Sequence, residues 1–452
     1  MPAKLPPVPE VGSLKMRKQL SVPGLLKQVR EVFVQVKDSR KQGVRYPLVD
    51  VLMSGLAMFG LKDESLLTFD TLRHDDCRRH NLRTLYGIKD VPSDSGMREV
   101  LDEVDSQALR PAFKVLHQVM QQQGELQSYR FLGKYLVSLD GTGVFSSAKV
   151  SCPECCSKQH QNGEVTYYHQ MLAAAIVHPK RKTVLPLYPE AITRQDGETK
   201  NDCEHNASKR LIPALCRDFP RLEMIVLQDA LACNGPHIRM LKEHGLSFLI
   251  TSKLAMGSVL LKEVLAGLET GKTREVAWKN SKGLMCGARF ANGVPLNSEN
   301  KDLPVNFIDY WEERKDGTTY HYACVTDIEL TADNVADVVS GGRSRWKIEN
   351  ETFNTLKNQG YNLEHNYGHG KRHLASVFGC LTLLAFLVDQ IQETCCRYFQ
   401  AARDRYGSRR LLWELMRSRF HLYRIESWEV LFGSMIWGHS SDKLLVVRCR
   451  SG

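Results

Sequence analysis

The chain has 452 residues, 42% of them apolar and 25% charged. That balance leaves ample material for buried cores and excludes disordered, fibrous and collagen-like chains. A net charge of +10 favours a polyanion as the large partner, although many basic enzymes never meet nucleic acid.

In chain order, residues 1 to about 45 read as an extended basic arm followed by a short amphipathic segment. From Pro47, Leu52, Leu56 and Phe59 recur at helical spacing. A second helix is expected after Pro92, capped by Asp94 or Ser95, with Val100, Leu101 and Val104 on its apolar face. Residues 1–130 therefore read as a basic arm and a helical N-terminal region.

The pattern turns to β at Tyr135. Tyr135 to Asp140, Thr166 to His178 and Thr183 to Ile192 read as three successive strands. A helix with Ala207, Leu211, Ala214 and Leu215 on one face follows, then the apolar strand Leu222 to Asp229. A further helix through Ile238 and Leu241 leads to a fifth strand, LSFLITS. Strands in direct succession suit an antiparallel meander, and helical crossovers suit parallel pairing. The expectation is an α/β fold: a mixed five-stranded sheet with flanking helices whose first part spans 131–253. Asp140 and Asp229 would end neighbouring central strands.

Residues 254–326 read as a β-rich insertion with Gly, Asn, Lys and Asp turns. Helical periodicity returns over 327–396, which holds RWKIENETFNTLK and the apolar helix LASVFGCLTLLAFLVDQI, a core element. Residues 397–452 form a basic, aromatic C-terminal region. The longest apolar run, Ala375 to Val388, is interrupted by Ser376, Gly379 and Thr382. It is shorter than the ~18–20 residues of a bilayer crossing. No signal-like apolar core opens the chain, and its 13 scattered cysteines read as reduced thiols. An intracellular protein with no membrane contact is expected.

On a regular helix, Arg345 and Glu349 lie one turn apart on one face, flanked by Trp346 and Ile348, with Phe353 a turn further on. Alone, this is an ordinary surface ion pair, and each Asp alone is a common turn residue after a strand. Together, two acids at strand ends and one on a packed helix suit a two-metal phosphoryl-transfer site. Such a site needs carboxylates from separate elements, because Mg²⁺ demands hard oxygen ligands.

Asp140 in SLDGTGVFSS, Asp229 in VLQDALACNG and Glu349 in RWKIENETFNTLK resemble the three motifs of bacterial insertion-sequence DDE transposases. The match is to the group with a ribonuclease-H-like core and a β insertion before the catalytic Glu, and it covers about 130 to 390. The resemblance implies Mg²⁺-dependent cleavage at insertion-sequence ends, with Mn²⁺ as a substitute, and strand transfer into target DNA. Asp140, Asp229 and Glu349 would be the catalytic, metal-binding acids, and Arg345 would contact phosphate or orient a carboxylate. It also implies double-stranded DNA as partner, a homodimer on DNA, no organic cofactor, and a bacterial cytoplasmic, nucleoid-associated location. The sequence departs from the family twice. Gly342 stands where a tyrosine is usual, and Leu356 where a lysine is usual, with Lys357 one position later. Glu351 is a rival third acid on another helix face. The alternatives are a ribonuclease-H-like nuclease without strand transfer and an inactive DNA-binding relative.

Secondary signals surround this core. Lys200 to Arg210 mixes acids with His205, Lys209 and Arg210 at a helix start, suited to phosphate or equally to a solvated first turn. Lys371 and Arg372, beside His365, His369 and His373, suit a DNA-backbone role. A metal role for those histidines is less supported, since only His369 and His373 have a fixed i,i+4 spacing. Lys15 and Lys18 are candidates for end recognition. Cys152 and Cys155 have zinc-knuckle spacing that Cys156, His160 or His169 could complete. Without a second CxxC, ordinary reduced thiols are the commoner reading.

Overall fold

Short polar residues set where the N-terminal helices begin. Ser65, Asp75 and Ser93 each accept a backbone N–H of the first turn, and Ser93 is the cap where Asp94 or Ser95 was expected. The computed structural model describes residues 6–40, 44–194, 203–253, 259–280 and 282–438. Lys200 to Asp202, the start of one phosphate-binding candidate, lie outside the described residues, as do 439–452 of the C-terminal region.

Six helices come first: α1 Val22–Val34, α2 Leu48–Leu61, α3 Leu66–Asp70, α4 Asp76–Tyr86, α5 Asp94–Asp102 and α6 Arg110–Gln122. Strands β1 Arg130–Phe131, β2 Lys134–Ser147, β3 Cys156–Gln159, β4 Val165–Val177, β5 Leu185–Pro186 and β6 Glu190–Ile192 follow. Next come α7 Glu204–Asp218, β7 Met224–Gln228, α8 Gly235–Glu243, β8 Ser247–Thr251 and α9 Val259–Glu269. Strands β9 Arg274–Lys279, β10 Met285–Pro295, β11 Pro304–Glu313 and β12 Thr319–Thr326 precede α10 Val335–Arg343 and α11 Asn354–Asn358. The chain continues through α12 Leu374–Cys395, α13 Arg397–Tyr406, α14 Arg409–Leu422 and α15 Trp428–Trp437.

β2 pairs antiparallel with β4 and parallel with β7, and β7 pairs parallel with β8. The mixed pairing follows from the connections: a turn between neighbours gives antiparallel strands, and helices α7 and α8 return the chain for parallel ones. The expected third strand, Thr183 to Ile192, is instead two short pieces, β5 and β6, both against β4. The five-stranded expectation also falls short. β12 pairs antiparallel with β8, so β9 to β12 prolong the same sheet, which holds twelve strands in the order β3-β4-β2-β7-β8-β12-β11-β10-β9, with β1, β5 and β6 off that path. The edge of β8 offers unpaired backbone groups, and β12 satisfies them. Helix α9 adds a helical piece to the segment read as β-rich.

Helix α12 lies between the sheet and the N-terminal helices, packing against α2, α5, β2, β4 and β5. It is long and apolar enough to cross a bilayer, but 94% of its apolar window is buried inside the fold. Its apolar surface is thus spent on the core, as expected for LASVFGCLTLLAFLVDQI. The start of α12 is capped from another helix. Asp102 of α5 accepts the backbone N–H groups of Lys371, Arg372, His373 and Leu374 at 2.7–3.1 Å. Burial alone would raise Asp102, but those four donors hold its carboxyl below the usual range. Among the described cysteines eleven are free thiols.

Candidate active site

Parallel β2 and β7 pair Tyr135 with Met224 through Ser138 with Leu227. Two residues past the last pair come Asp140, still on β2, and Asp229, just beyond β7. The two acids therefore leave neighbouring strands, roughly 4.8 Å apart, at the same level of the sheet. Asp229 Oδ1 accepts the Leu231 N–H at 3.0 Å and caps a short 3₁₀ turn. The ordinary turn-cap role is thus real at Asp229. It uses one direction of one oxygen and leaves the carboxylate further acceptor capacity.

The segment carrying Glu349 is not the regular helix expected. Ser344–Trp346 forms a 3₁₀ turn and Ile348–Phe353 is π-helical before α11 resumes normal winding. π-Helical turns of this kind concentrate at functional sites. Ser138, on the same face of β2 as Asp140, donates its hydroxyl to the Arg345 carbonyl at 3.0 Å and fixes the segment to the strand. Buried Ile348 and Phe353 anchor its apolar side.

Arg345 joins two of the acids. Its side chain is only 8% exposed, with Nη1 3.2 Å from Asp140 Oδ2 and 2.9 Å from Glu349 Oε1. The guanidinium also lies 4.4 Å from the Trp346 ring centroid. Burial, a hydrogen bond with Glu349 and that group's charge push Asp140 up to about 7, although Arg345 pulls the other way. Asp140 therefore keeps its proton to near neutrality. Glu351 is oriented differently: its charge acts on Lys347, not on Asp140.

Glu204, the first residue of α7, is a fourth acid that the sequence reading passed over. A Cβ at Gly141 would collide with its carboxylate, so the glycine after Asp140 makes room for it. Burial and then the negative charge of Asp229 raise Glu204. Its segment reads in sequence as a charged helix start, with nothing local to mark this acid.

Those basic residues are dispersed. Arg210 is committed to the fold, donating to Glu190 Oε1 at 2.8 Å and to the Ala191 carbonyl at 3.1 Å. Lys209 is exposed and reaches Asn206. Lys357 pairs with Glu364 at 2.6 Å. Lys371 is exposed, while Arg372 pairs with Glu103, and the amide groups beneath both are taken by Asp102. The two motif departures have packing reasons. A side chain at Gly342 would strike the Tyr322 hydroxyl from β12, and Leu356 is fully buried, where a lysine would lose its hydration.

The donor set suits a hard divalent cation: carboxylate oxygens from β2, the end of β7 and the π-helical segment, with Glu204 beside them. Among the described residues these acids are not gathered closely enough to hold an ion as they stand. The Arg345 guanidinium bridges two of them instead.

No family model matches the chain, and neither does any curated protein. Among solved structures, the chain is similar to a piggyBac transposase in its synaptic complex with hairpin DNA, at 10% identity and a TM-score of 0.41. The alignment covers 92% of this chain and 81% of that one, a likeness below the level at which a common fold is assigned.

Proposed function

We propose that the chain is a DDE transposase of the insertion-sequence type, with a ribonuclease-H-like core, that cleaves DNA at the ends of a mobile element and joins them to target DNA. One observation carries the reading. Asp140 and Asp229 leave parallel neighbouring strands at one level, and Glu349 shares with Asp140 a single buried arginine. The strand pairing supports the ribonuclease-H-like assignment: antiparallel β4 on one side of β2, parallel β7 and β8 on the other.

Asp140, Asp229 and Glu349 would hold Mg²⁺, or Mn²⁺ in its place. A bound divalent cation supplies Lewis-acid stabilisation of charge on phosphoryl oxygens during in-line displacement. Arg345 holds the Asp140 and Glu349 carboxylates in register, and Ser138 holds the backbone of Arg345. The proton that Asp140 keeps up to about pH 7 must leave for its carboxylate to serve as a ligand, so cation affinity would rise with pH through about 7. Gly141 and Glu204 shape the floor between the strand ends. Exposed Lys209 and Lys371, with Lys357, are the remaining candidates for phosphate contact, and such contacts weaken steeply with salt. The proposed partners are double-stranded DNA ends and target, with two copies of the chain holding two ends.

The test uses purified full-length protein, Mg²⁺ and DNA carrying the native flanking ends, with and without a precleaved 3′-hydroxyl. Nicking and joining together support transposition. Nicking without joining moves the reading to a nuclease, and binding without nicking to a DNA-binding relative.

A further inference from the structure

Four soft ligand atoms meet at one point well away from the acids. Cys152 and Cys155 lie in the connection from β2 to β3, His169 is on β4, and His369 is in the loop leading to α12. Cys152 Sγ and Cys155 Sγ are 3.8 Å apart, and each is 3.3 Å from His169 Nε2. Cys155 Sγ is 3.1 Å from His369 Nε2, and all four ligand atoms fall within 4.8 Å of one another. We propose that these four residues form a structural zinc site.

The distances carry the argument first. Zinc–sulfur bonds of about 2.3 Å and zinc–nitrogen bonds of about 2.0 Å set tetrahedral edges of roughly 3.8 Å between sulfurs and 3.5 Å between sulfur and nitrogen. The cluster matches the first, and three of its four sulfur–nitrogen edges lie within about half an ångström of the second.

Proton counting gives a second argument. Cys155 Sγ faces another sulfur and two imidazole nitrogens, yet a thiol has one proton to donate. His369 Nδ1 sits 2.8 Å from the Gly370 carbonyl. Donating there leaves the Nε2 lone pair facing the sulfurs, the usual outer hydrogen bond of a metal-bound histidine. Without a cation, two thiol protons and one His169 ring proton have to serve all of these contacts. With one, every lone pair has a partner, and the Cys152 N–H donates to Cys155 Sγ at 3.4 Å. His169 Nδ1 is buried without a partner in either case. Cys155, His169 and His369 are at most 6% exposed and Cys152 is half-buried, so most of the site is shut off from water, as in structural zinc sites.

The location says what the metal does. Cys155 and His369 are 214 residues apart in sequence. A shared ion ties the β2–β3 connection and β4 to the loop that follows the Glu349 segment. On the β2–β4 ladder His169 faces Phe145, five residues beyond Asp140, or about 17 Å along the strand. The site is therefore separate from the acids and braces the segment that carries one of them. His373, the histidine with fixed spacing to His369, does not join; it lies 3.9 Å from Glu154.

The experiment is zinc analysis of the purified full-length chain, with cobalt exchange read by visible absorption. The expected result is about one zinc per chain, and a tetrahedral thiolate–cobalt spectrum after exchange. Cys155→Ser should lose both signals, while His369→Cys should keep the metal and strengthen the thiolate-to-cobalt band. Asp140→Asn should keep its zinc, which separates this site from the acid cluster. Chelation should lower the melting temperature by about 5 °C or more. A wild-type chain that carries no zinc and takes up cobalt without a tetrahedral spectrum overturns the proposal, as does a Cys152–Cys155 disulfide in the purified protein. Because cobalt exchange is read on the wild type, a Cys155→Ser chain that fails to fold does not decide the matter.

Discussion

Two ligand clusters sit at different levels of the same β2–β4 ladder, and they are built in opposite ways. Near Asp140, opposite Ala173, hard carboxylates are crowded together, partly exposed and held apart by one arginine. Near His169, opposite Phe145, soft sulfurs and imidazoles are closed in by the fold, with one ring nitrogen already hydrogen-bonded to backbone. The first arrangement is electrostatically unfavourable until a cation arrives, and the second only needs an ion to be complete. An open, strained cluster suits turnover, and a closed one suits a brace.

The sharpest way to separate them is to remove one acid at a time. Asp140→Asn, Asp229→Asn and Glu349→Gln should each lower DNA cleavage at least about 10³-fold, because each would remove a charge-bearing ligand of the proposed phosphoryl-transfer site. Zinc content should stay unchanged in all three. Equal loss of zinc would mean that the two clusters are one folding unit, not two sites.

Arg345→Ala comes next, with an expected loss of about 10²-fold in cleavage. It leaves Asp140 and Glu349 facing each other without the cation between them. The Asp140 carboxyl should rise further, so the pH–rate profile should move to higher pH. An unchanged profile would deny Arg345 its place between the acids.

Asp102→Ala attacks the other side of the comparison. It removes the acceptor for four backbone N–H groups just after His369, and should cost about 1–3 kcal/mol of stability. Asp102 titrates below the usual carboxylate range, so its stabilisation is present at neutral pH and lost as pH falls through its folded value. Thermal melts of wild type and variant should therefore converge in acid. A constant gap at all pH values would contradict the capping role.

The smallest effect is a gain. Asp140 is held up to about 7 in the fold against an ordinary value of 3.8, so the apo-protein loses stability as pH rises between those values. Asp140→Asn should relieve that cost, raising stability by about 1 kcal/mol at pH 8 and by nothing below about pH 4. Mg²⁺ should stabilise the wild type at pH 8 and the variant much less.

Much of this was legible in the sequence for definite reasons. β2, β4, β7 and β8 have long apolar runs whose connections dictate their pairing, and Asp140 and Asp229 end such runs. The Arg345–Glu349 spacing survives in the ion pair even though the winding is π-helical. What was illegible depends on contacts across the chain. Nothing local says that β12 joins β8, that Tyr322 occupies the space above Gly342, or that Arg210 turns to Glu190. Cys152, Cys155 and His169 were visible as a weak pattern, but the fourth partner, His369, lies more than two hundred residues away. Glu204 was hidden because its role comes from Gly141 and Asp229, not from its neighbours in sequence.

The central claim is that Asp140, Asp229 and Glu349 perform transposition. Its most direct test is mobilisation in cells of a marked cassette between the native flanking ends, with protein levels matched. Wild type and Glu351→Ala should move the cassette, and Asp140→Ala, Asp229→Ala and Glu349→Ala should not. Movement by any of those three, or loss in Glu351→Ala with Glu349→Ala still active, would contradict the account.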